Sequence, residues 1–318
     1  MPVPRTPPAI ETAGLRKSFA GQEVLKGVDL TVPAGTVFGL LGPNGAGKTT
    51  TVKILSTLIH PDAGEARVAG HDVVREPDAV RATIGVTGQF SAVDPLLTGE
   101  ENLLLMASLR HLPRRTARSR VEELLSQFDL VPAAGRTAAT YSGGMRRRLD
   151  LAMTLVARPS VVFLDEPTTG VDPRGRRMLW SIVREQVDGG ATIFLTTQYL
   201  DEADHLADRI AVLAGGRIVA EGTPSELKRL VPGGHIRLQL PDADTLAATA
   251  RLFPEALPDD DDLSLRVPSG GDIPALRRVL DRLESAAIPA RHLSVTTPDL
   301  DDVFLALTGA TDPKDTLP

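Results

Sequence analysis

Three largely apolar runs along the chain predict buried β-strands. They span residues 36–41, 160–165 and 191–196. Runs without polar alternation fit strands that are covered on both faces, as in a parallel sheet between helices. The first run ends in a glycine-rich turn, after which residues 49–58 show helix-type apolar spacing. The pattern therefore predicts a strand–loop–helix unit within a largely parallel sheet.

Helical periodicity fills much of the interval between the first two runs. It covers residues 100–112, 116–128 and 143–157. Pro113 and Pro132 interrupt it, because proline removes a helix hydrogen bond and clashes with the preceding turn. We expect a helical insertion in this part of the sheet domain.

A smaller domain is predicted in the last part of the chain. Residues 223–226 carry a helix N-cap pattern, with threonine before proline and glutamate three residues after the cap, and this helix should end near Leu230. Gly233 and Gly234 then mark a boundary. Strand-like alternation follows at residues 236–240, 263–267 and 292–296.

The N-terminal residues are rich in proline and lack an apolar segment, so we expect a disordered tail and no secretory signal. The expected organisation is a tail, an α/β domain and a small α+β domain, at residues 1–8, 9–232 and 233–318.

Composition narrows the classes of function. With 35 Lys and Arg against 41 Asp and Glu, the net charge of −6 argues against a globally basic nucleic-acid binder. The absence of cysteine excludes disulfides, Cys-ligated zinc, iron–sulfur clusters and thiol nucleophiles. No apolar run approaches the roughly 20 residues that span a bilayer. The four aspartates at 259–262 favour a solvated loop over a metal site, because adjacent carboxylates repel one another.

A phosphate-binding loop is predicted between the first strand and its helix. The matching positions are Gly42, Pro43, Asn44, Gly45, Ala46, Gly47, Lys48 and Thr49, followed by Thr50. Backbone N–H groups and the helix N-terminus would hold phosphate oxygens. Lys48 would approach the β and γ phosphates, and Thr49 would ligate magnesium. An ordinary glycine-rich turn is the alternative.

Two carboxylates follow the second apolar run. Asp165 and Glu166 stand where that strand would emerge into the phosphate site. One carboxylate can hold magnesium through water while the next polarises an attacking water, which suits hydrolysis of a phosphoanhydride. We assign Asp165 and Glu166 these roles in that order. The alternative is a helix cap or a turn.

Ser142, Gly143 and Gly144 open a predicted helix and form a second candidate anion site. The phosphate loop of this chain already holds the nucleotide from one side. The pattern alone therefore does not show how Ser142, Gly143 and Gly144 of the same chain would reach the terminal phosphate of that nucleotide. A helix cap followed by a flexible turn is the structural alternative.

Taken together, these motifs resemble the ATP-binding cassette (ABC) ATPases over about residues 9–230. The motifs occur in the family's order: the phosphate loop, Gln89, Ser142-Gly143-Gly144, Asp165-Glu166 and Gly170-Val171-Asp172. The resemblance implies an α/β P-loop NTPase fold with a mostly parallel sheet, an antiparallel β subdomain and a helical subdomain at about residues 90–140. It also implies ATP and Mg²⁺ as cofactors, and a head-to-tail homodimer in which each serine-glycine-glycine segment completes the partner's ATP site.

Further roles are carried over from the family residue by residue. Phe19 resembles the aromatic that stacks on adenine, with an exposed hairpin aromatic or a core residue as alternatives. Gln89 resembles the glutamine that reaches magnesium, beside Thr49 and Asp165. Asp172 matches the loop that signals across the dimer. The helical subdomain would receive the coupling helix of a separate membrane permease.

Gln198 departs from most of the family, which places histidine at this switch position. Glutamine can donate an N–H bond to the γ-phosphate but cannot take up a proton. Residues 196–204 and the tail at 300–309 nevertheless resemble the daunorubicin and doxorubicin resistance ATP-binding subunits, where glutamine also occurs. Catalysis is thus assigned to Glu166 and Gln198.

The resemblance implies an ATPase subunit, peripheral on the cytoplasmic side of the cell membrane, that powers export of a hydrophobic drug or antibiotic. It would contact the membrane through its permease and bind no nucleic acid. The alternatives are a nucleotide-gated regulatory or assembly module with little turnover, and a subunit of another ABC-2 type export system.

Overall fold

The computed structural model describes residues 7–88, 92–231, 234–269, 273–296 and 298–308. Its contacts divide the chain into two compact units, Met1–Thr223 and Pro224–Pro318. Among the described residues, no helix combines the length and the apolar composition needed to cross a bilayer.

The first unit is built on a six-stranded sheet. In order across the sheet, the strands are β10 (Arg217–Gly222), β9 (Arg209–Ala214), β3 (Val37–Leu41), β8 (Thr192–Thr197), β7 (Val161–Asp165) and β6 (Ile84–Thr87). Neighbouring strands are parallel except β9 and β10. Every residue of β3, β7 and β8 is buried, which confirms the strands predicted from the three apolar runs.

The strands of a second, antiparallel sheet come partly before and partly after β3 in the chain. Its order is β2 (Gln22–Val32), β1 (Ile10–Phe19), β4 (Ala63–Val68) and β5 (His71–Asp72). Alternate residues of the main sheet face two separate cores. In β7, Val161 and Phe163 pack with the antiparallel sheet, and Val162 and Leu164 pack with the helical segments.

The described part of the first unit also has two short 3₁₀ helices, Val131–Ala133 and Ala138–Thr140, and seven α-helices. The α-helices are α1 (Lys48–Leu55), α2 (Pro77–Thr83), α3 (Gly99–Leu109), α4 (Arg114–Gln127), α5 (Gly143–Thr154), α6 (Pro173–Asp188) and α7 (Leu200–Leu206). The predicted helical stretches correspond to α3, α4 and α5. Helix α3 starts where Thr98 and Glu101 form a capping box, which satisfies N–H groups at its free end.

The second unit contains a β-α-β-β-α-β arrangement of the ferredoxin-like type. Its elements are β11 (His235–Gln239), α9 (Ala243–Leu252), β12 (Leu257–Asp259), β13 (Ser264–Pro268), α10 (Ile273–Ser285) and β14 (His292–Thr296). The antiparallel order β12-β13-β11-β14 confirms the predicted α+β class. In the aspartate run, Asp260–Asp262 are exposed and Asp262 forms an ion pair with Arg237.

Two further helices flank this arrangement, α8 (Pro224–Lys228) and α11 (Leu300–Thr308). They pack against each other. The compact units therefore divide after Thr223, whereas the sequence pattern places the boundary near Gly233. Helix α8 joins the second unit because its packing partner lies far along the chain.

Candidate nucleotide site

The glycine-rich segment forms a loop between β3 and α1 whose glycines are required by the backbone. Gly47 precedes α1 at φ 112°, a left-handed conformation that other residues rarely adopt. A Cβ atom at Gly42 would lie 2.4 Å from the Leu213 carbonyl oxygen. The loop borders a cavity of about 310 Å³, lined by Val24, Asn44, Gly45, Gly47, Lys48, Thr49, Thr50 and Glu166.

Lys48 supplies the cation of this cavity. Its side chain is buried, and Nζ donates hydrogen bonds to the carbonyl oxygens of Gly42 at 2.6 Å and Pro43 at 3.2 Å. Burial lowers the pKa of Lys48, while the charges of Glu166 and Asp165 act in the opposite direction. The loop thus holds a single ammonium group close to two carboxylates.

Asp165 lies opposite the start of α1. Thr49 Oγ1 donates a hydrogen bond to Asp165 Oδ2 at 3.1 Å, and Thr196 Oγ1 donates another to Oδ1. The hydroxyl of Thr49 and the carboxylate of Asp165 are oxygen donors of the kind that Mg²⁺ prefers, and they converge at the mouth of the phosphate loop. These two residues fit a magnesium ion.

Glu166 sits on a strained backbone. Its φ is 50°, although it is not glycine, and its N–H donates to the Thr196 carbonyl oxygen at 3.0 Å. The residue lines the phosphate-loop cavity and also a second cavity of about 710 Å³. The turn therefore places Glu166 at the border of both cavities.

Ser142 caps α5 by accepting a hydrogen bond from the Met145 N–H at 3.2 Å. Gly143 and Gly144 have open space where a Cβ would stand, so packing within this chain does not require glycine there. Gly143 lines the 710 Å³ cavity but not the phosphate-loop cavity. The segment thus lies beside Glu166 without completing this chain's own phosphate loop.

Arg147 is a site residue that the sequence analysis missed. Its guanidinium donates to the carbonyl oxygens of Gly88, Asp165, Glu166 and Pro167 at 2.9–3.1 Å. It also pairs with the Asp150 carboxylate at 3.3 Å. Arg147 therefore joins α5 to the turn that carries Glu166. The one available signal was an arginine three residues before a buried aspartate on the same helix face.

Other predicted residues occupy separate positions. Phe19 ends β1, is 46% exposed and does not line the phosphate-loop cavity. Asp172 caps α6 by accepting from the Gly175 N–H at 2.7 Å. Gln198 is exposed after β8 and lines neither of the two cavities. Gln89 lies outside the described residues.

A parallel sheet, a glycine-rich loop running into α1 and an acidic pair after β7 define an ATPase domain of the P-loop class. The profile of the ABC transporter family matches residues 25–169. A solved structure of the ATP-binding subunit of an ABC transporter covers 70% of this chain and 92% of its own, at 30% identity and a TM-score of 0.65.

Curated relatives extend the match to the second unit. The daunorubicin resistance ATP-binding protein of Streptomyces coeruleorubidus is 51% identical over 95% of this chain and 96% of its own length. The Nod factor export ATP-binding protein I of Ralstonia nicotianae is 36% identical over 95% and 94%. The chain belongs to the ATP-binding proteins of the ABC transporter family. It is an ATPase subunit, as the sequence resemblance implied.

Proposed function

We propose that this chain hydrolyses MgATP as a head-to-tail homodimer and thereby powers export of a hydrophobic drug or antibiotic through a separate membrane permease. The choice of substrate class rests on the relatives named for daunorubicin and doxorubicin resistance. In this proposal the chain lies on the cytoplasmic side of the membrane, peripheral to the permease.

Residues of the phosphate loop bind and orient the nucleotide. The N–H groups at the start of α1 and the Lys48 ammonium hold the β and γ phosphates. Thr49 and Asp165 would hold Mg²⁺, joined by Gln89, and the ion when bound offsets phosphate charge. Phe19 stacks on the adenine.

Glu166 accepts the proton of the attacking water, while Gln198 donates an amide N–H to the γ-phosphate. One observation supports the proposed dimer. Glu166 lines both cavities, one beside the phosphate loop and one beside Gly143. A partner's Ser142, Gly143 and Gly144 can supply N–H donors to the γ-phosphate without displacing any side chain of their own subunit. Asp172 relays nucleotide state across the dimer.

The helical segment at about residues 90–140 is proposed as the receiving surface for the permease. It contains α3 and α4 and stands apart from the phosphate loop in sequence. The unit after Thr223 is proposed as an accessory domain.

Substitution of Glu166 by glutamine tests the shared site. Glu166→Gln keeps the shape but removes the base, so ATP should bind and trap a dimer detectable by light scattering. Glu166→Gln/Gly143→Arg is the matched control, because Gly143 has free space for a side chain. The double variant should bind ATP and stay monomeric. A monomeric Glu166→Gln at saturating ATP would refute the shared site.

Export is tested in inverted vesicles that contain this chain and a co-expressed membrane permease. ATP should drive doxorubicin accumulation, and Lys48→Ala should abolish it. ATP-independent accumulation, or none with active ATPase, would refute the proposed substrate class.

A further inference from the structure

The guanidinium of Arg147 binds three successive carbonyl groups of the turn that carries Glu166. Nη2 donates to the carbonyl oxygens of Asp165 at 3.1 Å and Glu166 at 2.9 Å, and Nε donates to that of Pro167 at 2.9 Å. These bonds surround the residue whose φ is 50°. A strained conformation persists only where its surroundings hold it, so the three bonds stabilise the left-handed backbone of Glu166.

The remaining donors of Arg147 bind outside this turn. Nη1 donates to the carbonyl oxygen of Gly88 at 2.9 Å and to Asp150 Oδ2 at 3.3 Å. A guanidinium has five N–H donors and no acceptor, and all five are now used. Arg147 can therefore hold the backbone in place, but it has no donor left for a nucleotide.

Arg147 stands on the same helix as the serine-glycine-glycine segment. Ser142 caps α5 and Arg147 lies five residues further on, little more than one helical turn away. In the proposed dimer, Ser142 approaches the partner's nucleotide, whereas Glu166 acts on the nucleotide of its own chain. Arg147 therefore connects two segments that serve different ATP molecules.

We propose that Arg147 is a positioning residue of the ATPase, which fixes the Glu166 carboxylate relative to α5 by holding the carbonyl groups of its turn. The inference rests on the proposed role of Glu166 as the base. Arg147 acts through Glu166 and does not bind the nucleotide. Water from the 710 Å³ cavity can hydrate the carbonyl groups if the guanidinium is lost, but it does not fix their positions.

Substitutions of Arg147 should change kcat more than KM. Arg147→Met removes all five donors and should lower kcat about tenfold or more, because a displaced base loses much of its effect. Arg147→Lys keeps three donors without the planar fork and should lower kcat about three- to fivefold. The KM for MgATP should change less than about threefold in both, because Arg147 does not line the phosphate-loop cavity.

Leu30→Ala is the control for a loss of stability. Leu30 is 3% exposed, packs in the core beside the antiparallel sheet and lines neither of the two cavities. Truncating a buried leucine destabilises the fold but leaves the Glu166 turn in place. At a temperature where every variant is folded, Leu30→Ala should keep kcat within about twofold. A loss of kcat as large as that of Arg147→Met would overturn the proposal.

A double variant tests whether Arg147 acts through Glu166. Residues that act as a unit are not additive, so Arg147→Met should cost little once the base is gone. In single-turnover hydrolysis, adding Arg147→Met to Glu166→Gln should lower the residual rate by less than about twofold. A further loss as large as the loss in the parent would overturn the proposal.

Parental kcat in Arg147→Met or in Arg147→Lys, or a loss that appears in KM alone, would equally overturn it. Should Arg147→Met fail to fold, Arg147→Lys takes its place in each comparison. Parental turnover in Glu166→Gln would refute the proposed role of Glu166 itself. Loss of turnover in Glu166→Gln, with parental turnover in Arg147→Met, would refute only the positioning role.

Discussion

Replacing Arg147 by methionine should destabilise the first unit by about 3 kcal/mol. The change removes the guanidinium and leaves Asp150, which is 3% exposed, without its cation. Breaking a buried pair by removing one partner costs about 3–5 kcal/mol. The lower end applies, because the Asp150 carboxylate still accepts from the Ala92 N–H at 2.9 Å.

Arg147→Met also removes the hydrogen bonds to four carbonyl oxygens, but these add less to the loss in free energy of unfolding than four lost bonds would suggest. Arg147 and Glu166 border the 710 Å³ cavity, so water can reach carbonyl groups there and replace part of the lost bonding. Arg147→Lys should recover only part of the loss, because one ammonium with three donors cannot reproduce the planar fork.

Urea unfolding followed by tryptophan fluorescence measures this effect in the first unit alone. Trp180 is the only tryptophan of the chain and lies on α6. Arg146→Met is the matched control, since Arg146 is exposed on the same helix, and it should change the free energy of unfolding by less than about 0.5 kcal/mol. A loss below about 1 kcal/mol in Arg147→Met would refute the reasoning.

Three further outcomes follow from the site. Lys48→Ala should abolish ATP binding or hydrolysis, since the triphosphate loses its main protein cation; normal turnover in a folded variant would contradict the loop assignment. Gln198→Ala should lose about tenfold in rate, and Gln198→His should stay active and acquire a pH-dependent limb near the histidine range; an alanine variant with parental rate and pH profile would leave Gln198 no catalytic role. Burial raises the folded-state pKa of Glu202, so the free energy of unfolding of the parent should fall as pH rises through that pKa. Glu202→Gln cannot titrate at this position and should not show this fall. If the free energies of unfolding of the two proteins run parallel between pH 4 and 8, the raised pKa is contradicted.

The parts of the fold predicted from sequence depend on local patterns. The buried strands β3, β7 and β8 are continuous apolar runs, and the loop before α1 is a motif with a fixed spacing. Each of these signals is contained within a few consecutive residues. The structure places Thr49 Oγ1 3.1 Å from Asp165 Oδ2, so the start of α1 and the end of β7 meet where the pattern predicts.

The remaining parts depend on contacts between distant residues. Arg147 lies within a run of three arginines, and its position relative to the Glu166 turn is set by the packing of α5, not by the local pattern. Helix α8 belongs to the second unit through α11, some seventy positions further along. Glu202 resembles an ordinary charged position of a short helix until α6 covers it.

The left-handed backbone at Glu166 means that the fold and the chemistry make opposing demands on this position. A residue such as asparagine tolerates positive φ better than glutamate does, and glycine tolerates it best. A copy of this chain released from the need to hydrolyse ATP would therefore gain by losing the carboxylate. Without selection for ATP hydrolysis, substitutions at this position would favour asparagine or glycine. A related chain that keeps glutamate here is therefore expected to be under selection for turnover.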